Sequence, residues 1–276
     1  IPVTVAIGIG GAGAGIAAVG LLDDRFGVLP LVRFLVHLGA ALWFAAWCSD
    51  LLSEIDSALP GPILGIWAVL MLVAIVWAVN LFNFMDGLDG LGGSQGLFVA
   101  GLGSWFLLGV DAAQGIGLLL AVVAAAAGGF LVWNLSPARI FLGDVGSGFL
   151  GLLLAALPLL GSAETDIPVA TWVILWGVFL VDATVTLLRR MALGERWYQA
   201  HRQHAYQRLS RRWSSHGRVT GAYLAVNLLW LAPMACWSVV KPEFAVVAAG
   251  VALAPLVITA WLLGAGVPET DAQVPR

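Results

Sequence analysis

Long apolar runs separated by short polar connections make up almost the whole chain. A run of about 20 largely apolar residues can cross a bilayer, and in lipid it must be a helix, because its backbone groups have to pair internally. Nine runs qualify: Val3–Leu22, Leu31–Cys48, Pro62–Val79, Gly96–Val110, Gly115–Trp133, Val145–Leu160, Val169–Leu188, Val219–Val240 and Phe244–Leu263. The pattern predicts an all-α, polytopic membrane protein of about nine transmembrane helices, with residues 1–276 forming a single domain.

The connections fall into two alternating sets. One set holds Asp23–Pro30, Asn80–Gln95, Asn134–Asp144 and the long Arg/His-rich stretch 189–218. The other holds Ser49–Gly61, Asp111–Gln114, Gly161–Pro168 and Lys241–Glu243. Arg25, Arg33, Arg139 and the eight arginines between Arg189 and Arg218 all lie in or beside the first set. The second set carries Lys241 with Asp50, Glu54, Asp56, Asp111, Glu164 and Asp166. The bias of Lys and Arg toward cytoplasmic loops puts the first set, and the end at Arg276, inside. Every motif-rich loop then shares the cytoplasmic face. That suits an enzyme joining a soluble substrate to a lipid better than a transporter, whose polar groups gather near the bilayer midplane.

Composition agrees. Of the 276 residues 61% are hydrophobic and 11% charged, against roughly 45–50% and about 25% in soluble domains. A soluble core of this size could not hide so much apolar surface. A net charge of −3 gives no sign of a nucleic-acid partner. Cys48 and Cys236 lack metal-ligand spacing and read as packing residues.

Four cytoplasmic loops carry the candidate chemistry. Adjacent Asp23 and Asp24 close the first run; paired carboxylates suit cation binding or general-base work as well as a solvated helix end. Asn80, Asn83, Asp86 and Asp89 recur every third residue, so on a helical turn they would project from a similar face and could hold a metal or a nucleoside. Asp144 opens an apolar helix either as a cap or as a Mg²⁺ ligand, since Mg²⁺ takes one or two carboxylates plus substrate phosphates. Phe141 could stack on a base or anchor at the interface. His201 and His204, three apart, are expected to share a helix face and, with the surrounding arginines, to form a cationic site for a diphosphate. Asp182, near the inner end of its run, is expected to support the site from behind or to make a structural hydrogen bond.

Asp23-Asp24, Asn80-x-x-Asn83-x-x-Asp86-Gly87-x-Asp89-Gly90, Phe141-Leu142-Gly143-Asp144-x-Gly146-Ser147 and His201-Arg202-x-His204 follow one another in order. In this the chain resembles the polyprenyl-phosphate N-acetylhexosamine-1-phosphate transferases, which are related to the muramoyl-pentapeptide transferases. The resemblance implies transfer of a sugar 1-phosphate from a UDP-N-acetylhexosamine to undecaprenyl phosphate in a bacterial cytoplasmic membrane, starting a surface glycan and releasing UMP. It implies Mg²⁺, with Mn²⁺ as an alternative, held by Asp144 with Asn83. It makes Asp23 the base toward the lipid phosphate with Asp24 beside it, and sets Asn83 and Asp86 at the reaction centre. Asp89 and Phe141 would contact the uracil, Asn80 and Asn134 would belong to the nucleotide site, and His201, Arg202 and His204 would hold the diphosphate and sugar. The family also has two further helices ahead of the one at Val3 and a Pro-Ser/Thr-x-Gly-Gly-like loop, so the chain, which starts at Ile1, is expected to be N-terminally incomplete. A homodimer, and direct attack against a covalent aspartyl-phosphate, stay open, with direct attack preferred. Rival readings are the muramoyl-pentapeptide branch, a cation-coupled transporter, and a CDP-alcohol phosphatidyltransferase, whose Asp-Gly-x-x-Ala-Arg segment is missing.

Overall fold

The computed structural model describes residues 1–50, 61–196, 198–199 and 201–268; Glu54, Asp56 and Arg276 lie outside the described residues. The described secondary structure is helical throughout. In order, it runs α1 (Val3–Phe26), α2 (Pro30–Trp47), α3 (Gly61–Met85), α4 (Leu91–Leu108), α5 (Gln114–Asn134) and α6 (Gly143–Ala163). Then come α7 (Val169–Leu175), α8 (Gly177–Ala192), α9 (Ala205–Trp213), α10 (His216–Val226), α11 (Ala232–Val240) and α12 (Ala245–Leu262). Eight stretches are long and apolar enough to span a membrane, or nine if the bent pair α7–α8 counts as one. The expected all-α, polytopic architecture is therefore what the chain adopts.

The interior is built by α4 and α6, 67% and 61% of whose spanning windows are buried, against 22% for α2 and α12. Lipid tails are as apolar as leucine, so membrane helices associate through close packing more than through apolar burial. Small residues make that approach here. A Cβ on Gly20 of α1 would lie 2.7 Å from the backbone nitrogen of Val145 and 2.8 Å from the carbonyl oxygen of Asp144. Only glycine lets α1 meet the first turn of α6 this closely. In the core Phe82 packs at 5.3 Å from Phe179 and 5.9 Å from Trp176, ring centre to ring centre, joining α3 to the α7–α8 bend.

Three boundaries differ from the sequence expectation. The run expected as a single helix over Val169–Leu188 bends by 80° between α7 and α8. The carbonyl of Leu175 there accepts a hydrogen bond from Nε2 of Gln95 (3.0 Å), whose Oε1 accepts from Nδ2 of Asn227 (2.7 Å). Asn227 opens a π-helical turn, Asn227–Leu231, between α10 and α11. A buried amide pair thus supplies the partner that a broken helix needs in lipid. The loop expected over Asn80–Gln95 shrinks to Asp86–Gly90, because α3 continues through Met85 and α4 begins at Leu91. The stretch 189–218 is also not all loop: it contains α9 and the first turn of α10.

Candidate active site

The C-terminal ends of α1 and α3, the start of α2 and the N-terminus of α6 meet at one end of the bundle. There the backbone N–H of Asp144 donates to both carboxylate oxygens of Asp24, at 3.1 and 3.2 Å. This puts a negative charge at the N-terminus of α6, where unpaired N–H groups and the helix dipole favour it. Gly143, just before, has φ +63°, a left-handed turn that a side chain would strain.

Asp23 uses both its oxygens. Oδ1 accepts from the backbone N–H of Val28 at 2.6 Å, and Oδ2 pairs with the guanidinium of Arg33. Arg33 also reaches Oδ2 of Asp144 at 3.3 Å and donates to Oδ1 of Asn83 at 3.4 Å. Asn83 turns its Nδ2 to Oδ1 of Asp144 (2.7 Å) and to the hydroxyl of Ser147 (3.0 Å). The result is a polar knot of Asp23, Asp24, Arg33, Asn83, Asp144 and Ser147. Here Asn83 aims Asp144, and its own oxygen faces Arg33.

Asp144, Asp23 and Asp24 offer hard carboxylate oxygens of the kind Mg²⁺ prefers. Among the described residues no three acidic, histidine or cysteine side chains converge into a self-sufficient metal site.

Asp86 and Asp89, expected on one face with the two asparagines, diverge from them. The helix stops at Met85, so the three-residue register ends there. Asp86 folds over Gly92, where a Cβ would come within 2.1 Å of Oδ1. Burial pushes its carboxyl up to about 7 against a stabilising bond from the Gly92 N–H. Asp89 faces the other way. Its Oδ2 accepts from the N–H of Ala138 (3.2 Å) and its Oδ1 lies 3.1 Å from Nδ1 of His216. Burial works against its ionisation, but His216, the Ala138 N–H and Ser136 outweigh that and hold the carboxyl below its usual range. Asn80 donates to the carbonyl of Val76 at 2.7 Å, within its own helix.

Asn134 is 3% exposed and uses both ends of its amide. Its Oδ1 accepts from the Gly90 N–H (3.0 Å), and its Nδ2 donates to the Ile140 carbonyl (2.8 Å). It braces two loops against each other. Phe141, 72% exposed, projects from the second of them with a ring face free for stacking.

The histidines do not share a helix face as expected. His201 lies in irregular chain and His204 is the N-cap of α9. Asp182, buried in α8, fixes that start. It accepts the N–H groups of Ala205 (2.8 Å) and Tyr206 (3.0 Å) and the hydroxyls of Tyr223 (2.8 Å) and Thr186 (3.3 Å). Nδ1 of His204 lies 3.4 Å from Oδ1 of the same aspartate, so Asp182 supports the histidine loop from behind. The His201 ring lies 4.9 Å from that of His204, centre to centre, tilted by 30°. Burial, with His204 and Arg190 nearby, pushes His201 down to about 4. The His201 ring is therefore neutral near pH 7. Arg202 is exposed. The Tyr206 hydroxyl donates to the carbonyl of Phe84 at 2.9 Å, which docks this loop onto the end of α3 beside Asn83.

Sequence reasoning passed over Arg33 and Ser147 at the centre, and His216, Tyr206 and Tyr223 around it. Arg33 carried a signal: an arginine inside an apolar run is costly and marks a buried partner.

The family model described as glycosyl transferase family 4 matches residues 6–162, which hold every member of the polar knot. The chain belongs to glycosyl transferase family 4. Family relatives include a probable undecaprenyl-phosphate N-acetylglucosaminyl 1-phosphate transferase of Bacillus subtilis. It is 32% identical over 206 residues, covering 70% of this chain and 55% of the relative. A decaprenyl-phosphate N-acetylglucosaminephosphotransferase of Mycobacterium tuberculosis is 30% identical over 253 residues, 80% of this chain and 59% of its own length. A phospho-N-acetylmuramoyl-pentapeptide-transferase of Deinococcus radiodurans is 33% identical over 196 residues, 64% of this chain and 58% of its own. The chain thus spans little more than half the length of these family members.

Proposed function

We propose that this chain carries the reaction centre of a polyprenyl-phosphate N-acetylhexosamine-1-phosphate transferase. A phosphate oxygen of undecaprenyl phosphate attacks the sugar-bearing phosphorus of a UDP-N-acetylhexosamine. The bond from that phosphorus to the oxygen of UMP breaks, UMP leaves, and a sugar-diphosphoryl-undecaprenol remains in the membrane to begin a cell-surface glycan. One phosphoanhydride replaces another, so no ATP is required. The observation that carries the reading is the convergence of Asp23, Asp24, Arg33, Asn83, Asp144 and Ser147 from four helices at one end of the bundle. The relatives' polyprenyl-phosphate specificity supports it.

Phosphoryl transfer is mostly positioning and charge neutralisation. A Mg²⁺ ion, held by Asp144 with the neighbouring carboxylates, would supply charge compensation for the diphosphate. Asn83 and Ser147 keep the Asp144 carboxylate aimed, and Asp24 fixes the turn that carries it. Arg33 offers a guanidinium to a phosphate oxygen while holding Asp23. With both Asp23 oxygens engaged, the lipid phosphate, already ionised near neutral pH, attacks without a strong base. Asp86, Asp89 and Phe141 line the nucleotide side, and neutral His201 with Arg202 and His204 faces the diphosphate and sugar.

The test is a donor panel. Membranes containing the protein are given undecaprenyl phosphate, Mg²⁺ and labelled UDP-N-acetylglucosamine, other UDP-N-acetylhexosamines, or UDP-N-acetylmuramoyl-pentapeptide. Labelled lipid with matching UMP release from a hexosamine donor is expected. Labelled lipid from the muramoyl donor alone would move the chain to that branch, and a phospho-enzyme trapped without acceptor would overturn direct attack.

A further inference from the structure

Three segments of the chain meet at Asp89, in the turn between α3 and α4. Its Oδ2 accepts the N–H of Ala138 at 3.2 Å, in the α5–α6 connection that also carries Phe141. Its backbone carbonyl accepts the Thr220 hydroxyl at 2.8 Å, and its Oδ1 lies 3.1 Å from Nδ1 of His216. His216 and Thr220 stand one turn apart on α10, so a single face of that helix reaches both the backbone and the carboxylate of one residue. Asn134 adds a further link, from the Gly90 N–H to the Ile140 carbonyl.

His216 is the open member of this junction. Its side chain is 45% exposed against 17% for Asp89, whereas Thr220 and Asn134 are buried. It lines a polar hollow of about 480 Å³ with Ser136, Ser210 and Ser214. Its place is nonetheless fixed, because it is the first residue of α10, whose N-cap Ser215 accepts the Arg218 N–H at 3.3 Å. The pair also assigns a proton. Asp89 is held below its usual carboxylate range, so it is ionised and can only accept. Nδ1 of His216 therefore carries the hydrogen, and this charge-assisted bond fixes the direction of the carboxylate as well as that of the ring.

We propose that His216 is a positioning residue for the nucleotide half of the donor: it holds Asp89 and draws α10 against the connection bearing Phe141, so that the nucleoside meets a wall built in advance. This rests on the reading of Asp89 as part of the nucleotide side. A wall ordered before binding spares the cost of ordering it when the nucleotide arrives. Ala138, Ser136, Thr220 and His216, the partners of Asp89, all lie outside the carboxylate knot. His216 therefore acts on affinity for the donor and not on the transfer step.

Binding of UMP alone to the detergent-purified protein, followed by calorimetry, keeps the question separate from turnover. His216→Ala is expected to weaken UMP about tenfold, the loss of one hydrogen bond to a charged group. In transfer assays the donor KM should rise by a similar factor, with kcat and the KM for undecaprenyl phosphate unchanged. His216→Asn, which returns a donor to the Nδ1 position, should recover most of the affinity. In an Asp89→Ala background His216→Ala should cost nothing further, because its effect runs through that carboxylate. A fall in kcat at constant donor KM, or an equal loss with Asp89 already removed, overturns the proposal. UMP binding that His216→Ala leaves intact overturns it alone, whereas a wild type that binds no UMP overturns it together with the nucleotide-side reading of Asp89.

Discussion

The amide nitrogen of Asn83 lies 2.7 Å from Oδ1 of Asp144, across the interface between α3 and α6. Two residues 61 positions apart thereby fix the direction of a carboxylate that no local sequence rule could aim. Substituting Asn83 by Leu removes the donor but leaves the helix apolar and intact. We expect kcat to fall on the order of 100-fold, the usual loss when one oriented polar contact to a developing charge is removed, with the thermal midpoint nearly unchanged. Steady-state kinetics beside a melting curve check this; a loss confined to KM would assign Asn83 to binding instead.

Gly20 tests how the centre is assembled. Gly20→Val places carbon atoms on the backbone of Asp144 and Val145, forcing α1 away from α6 and breaking the Asp24 contact. Overpacking of this kind costs about 1–3 kcal/mol, and activity should fall further than stability. Gly15→Val in the same helix, where a Cβ meets nothing within 4 Å, is the control and should retain both. Equal effects of the two substitutions on transfer would argue against the close approach as the cause.

Much of this was legible in the sequence, and the reasons for the rest are physical. The spans were readable because lipid imposes one length and one periodicity on every helix, and the polar loops stood out against that background. The 80° bend of α7–α8 was not, since Leu175 is released from its ladder by Gln95 and Asn227, residues distant in sequence. Asp23, Asp24, Asn83 and Asp144 were singled out by type and spacing and do meet. Asp86 and Asp89 were grouped with them by a register that ends at Met85. In the sequence Arg33 reads only as a topogenic charge, because what it pairs with is set by the packing of α1 against α2.

Asp86 gives a pH signature. Burial pushes its carboxyl up to about 7 in the folded protein from an ordinary value of 3.8. Between those values the folded state binds the extra proton, so stability is greatest at the acidic end and falls as pH rises through the window. The thermal midpoint of the detergent-solubilised protein should drop from about pH 5 to about pH 7. Asp86→Asn should flatten that slope, and an unchanged slope in the variant would assign the dependence to another group.

Asp182 anchors α9 through two backbone N–H groups and the Tyr223 hydroxyl. Asp182→Ala leaves those donors buried without a partner and should cost about 3–5 kcal/mol. Tyr223→Phe should cost only about 1 kcal/mol. Hydrogen exchange of residues 201–213 would report the difference: fast exchange in Asp182→Ala with the remaining helices protected is expected, and uniform loss of protection would mean global unfolding.

We propose that Asp144, at the start of α6, is the carboxylate around which the two phosphates react. It is tested most directly by transfer of label from UDP-[¹⁴C]N-acetylhexosamine to undecaprenyl phosphate in membranes bearing the wild-type protein, with and without EDTA, and bearing Asp144→Asn. We predict labelled lipid in the wild type, its loss on chelation, its return on adding Mg²⁺, and none from the folded Asp144→Asn protein at any Mg²⁺ concentration. Undiminished transfer by Asp144→Asn, or by the wild type in EDTA, would remove Asp144 and its cation from the reaction.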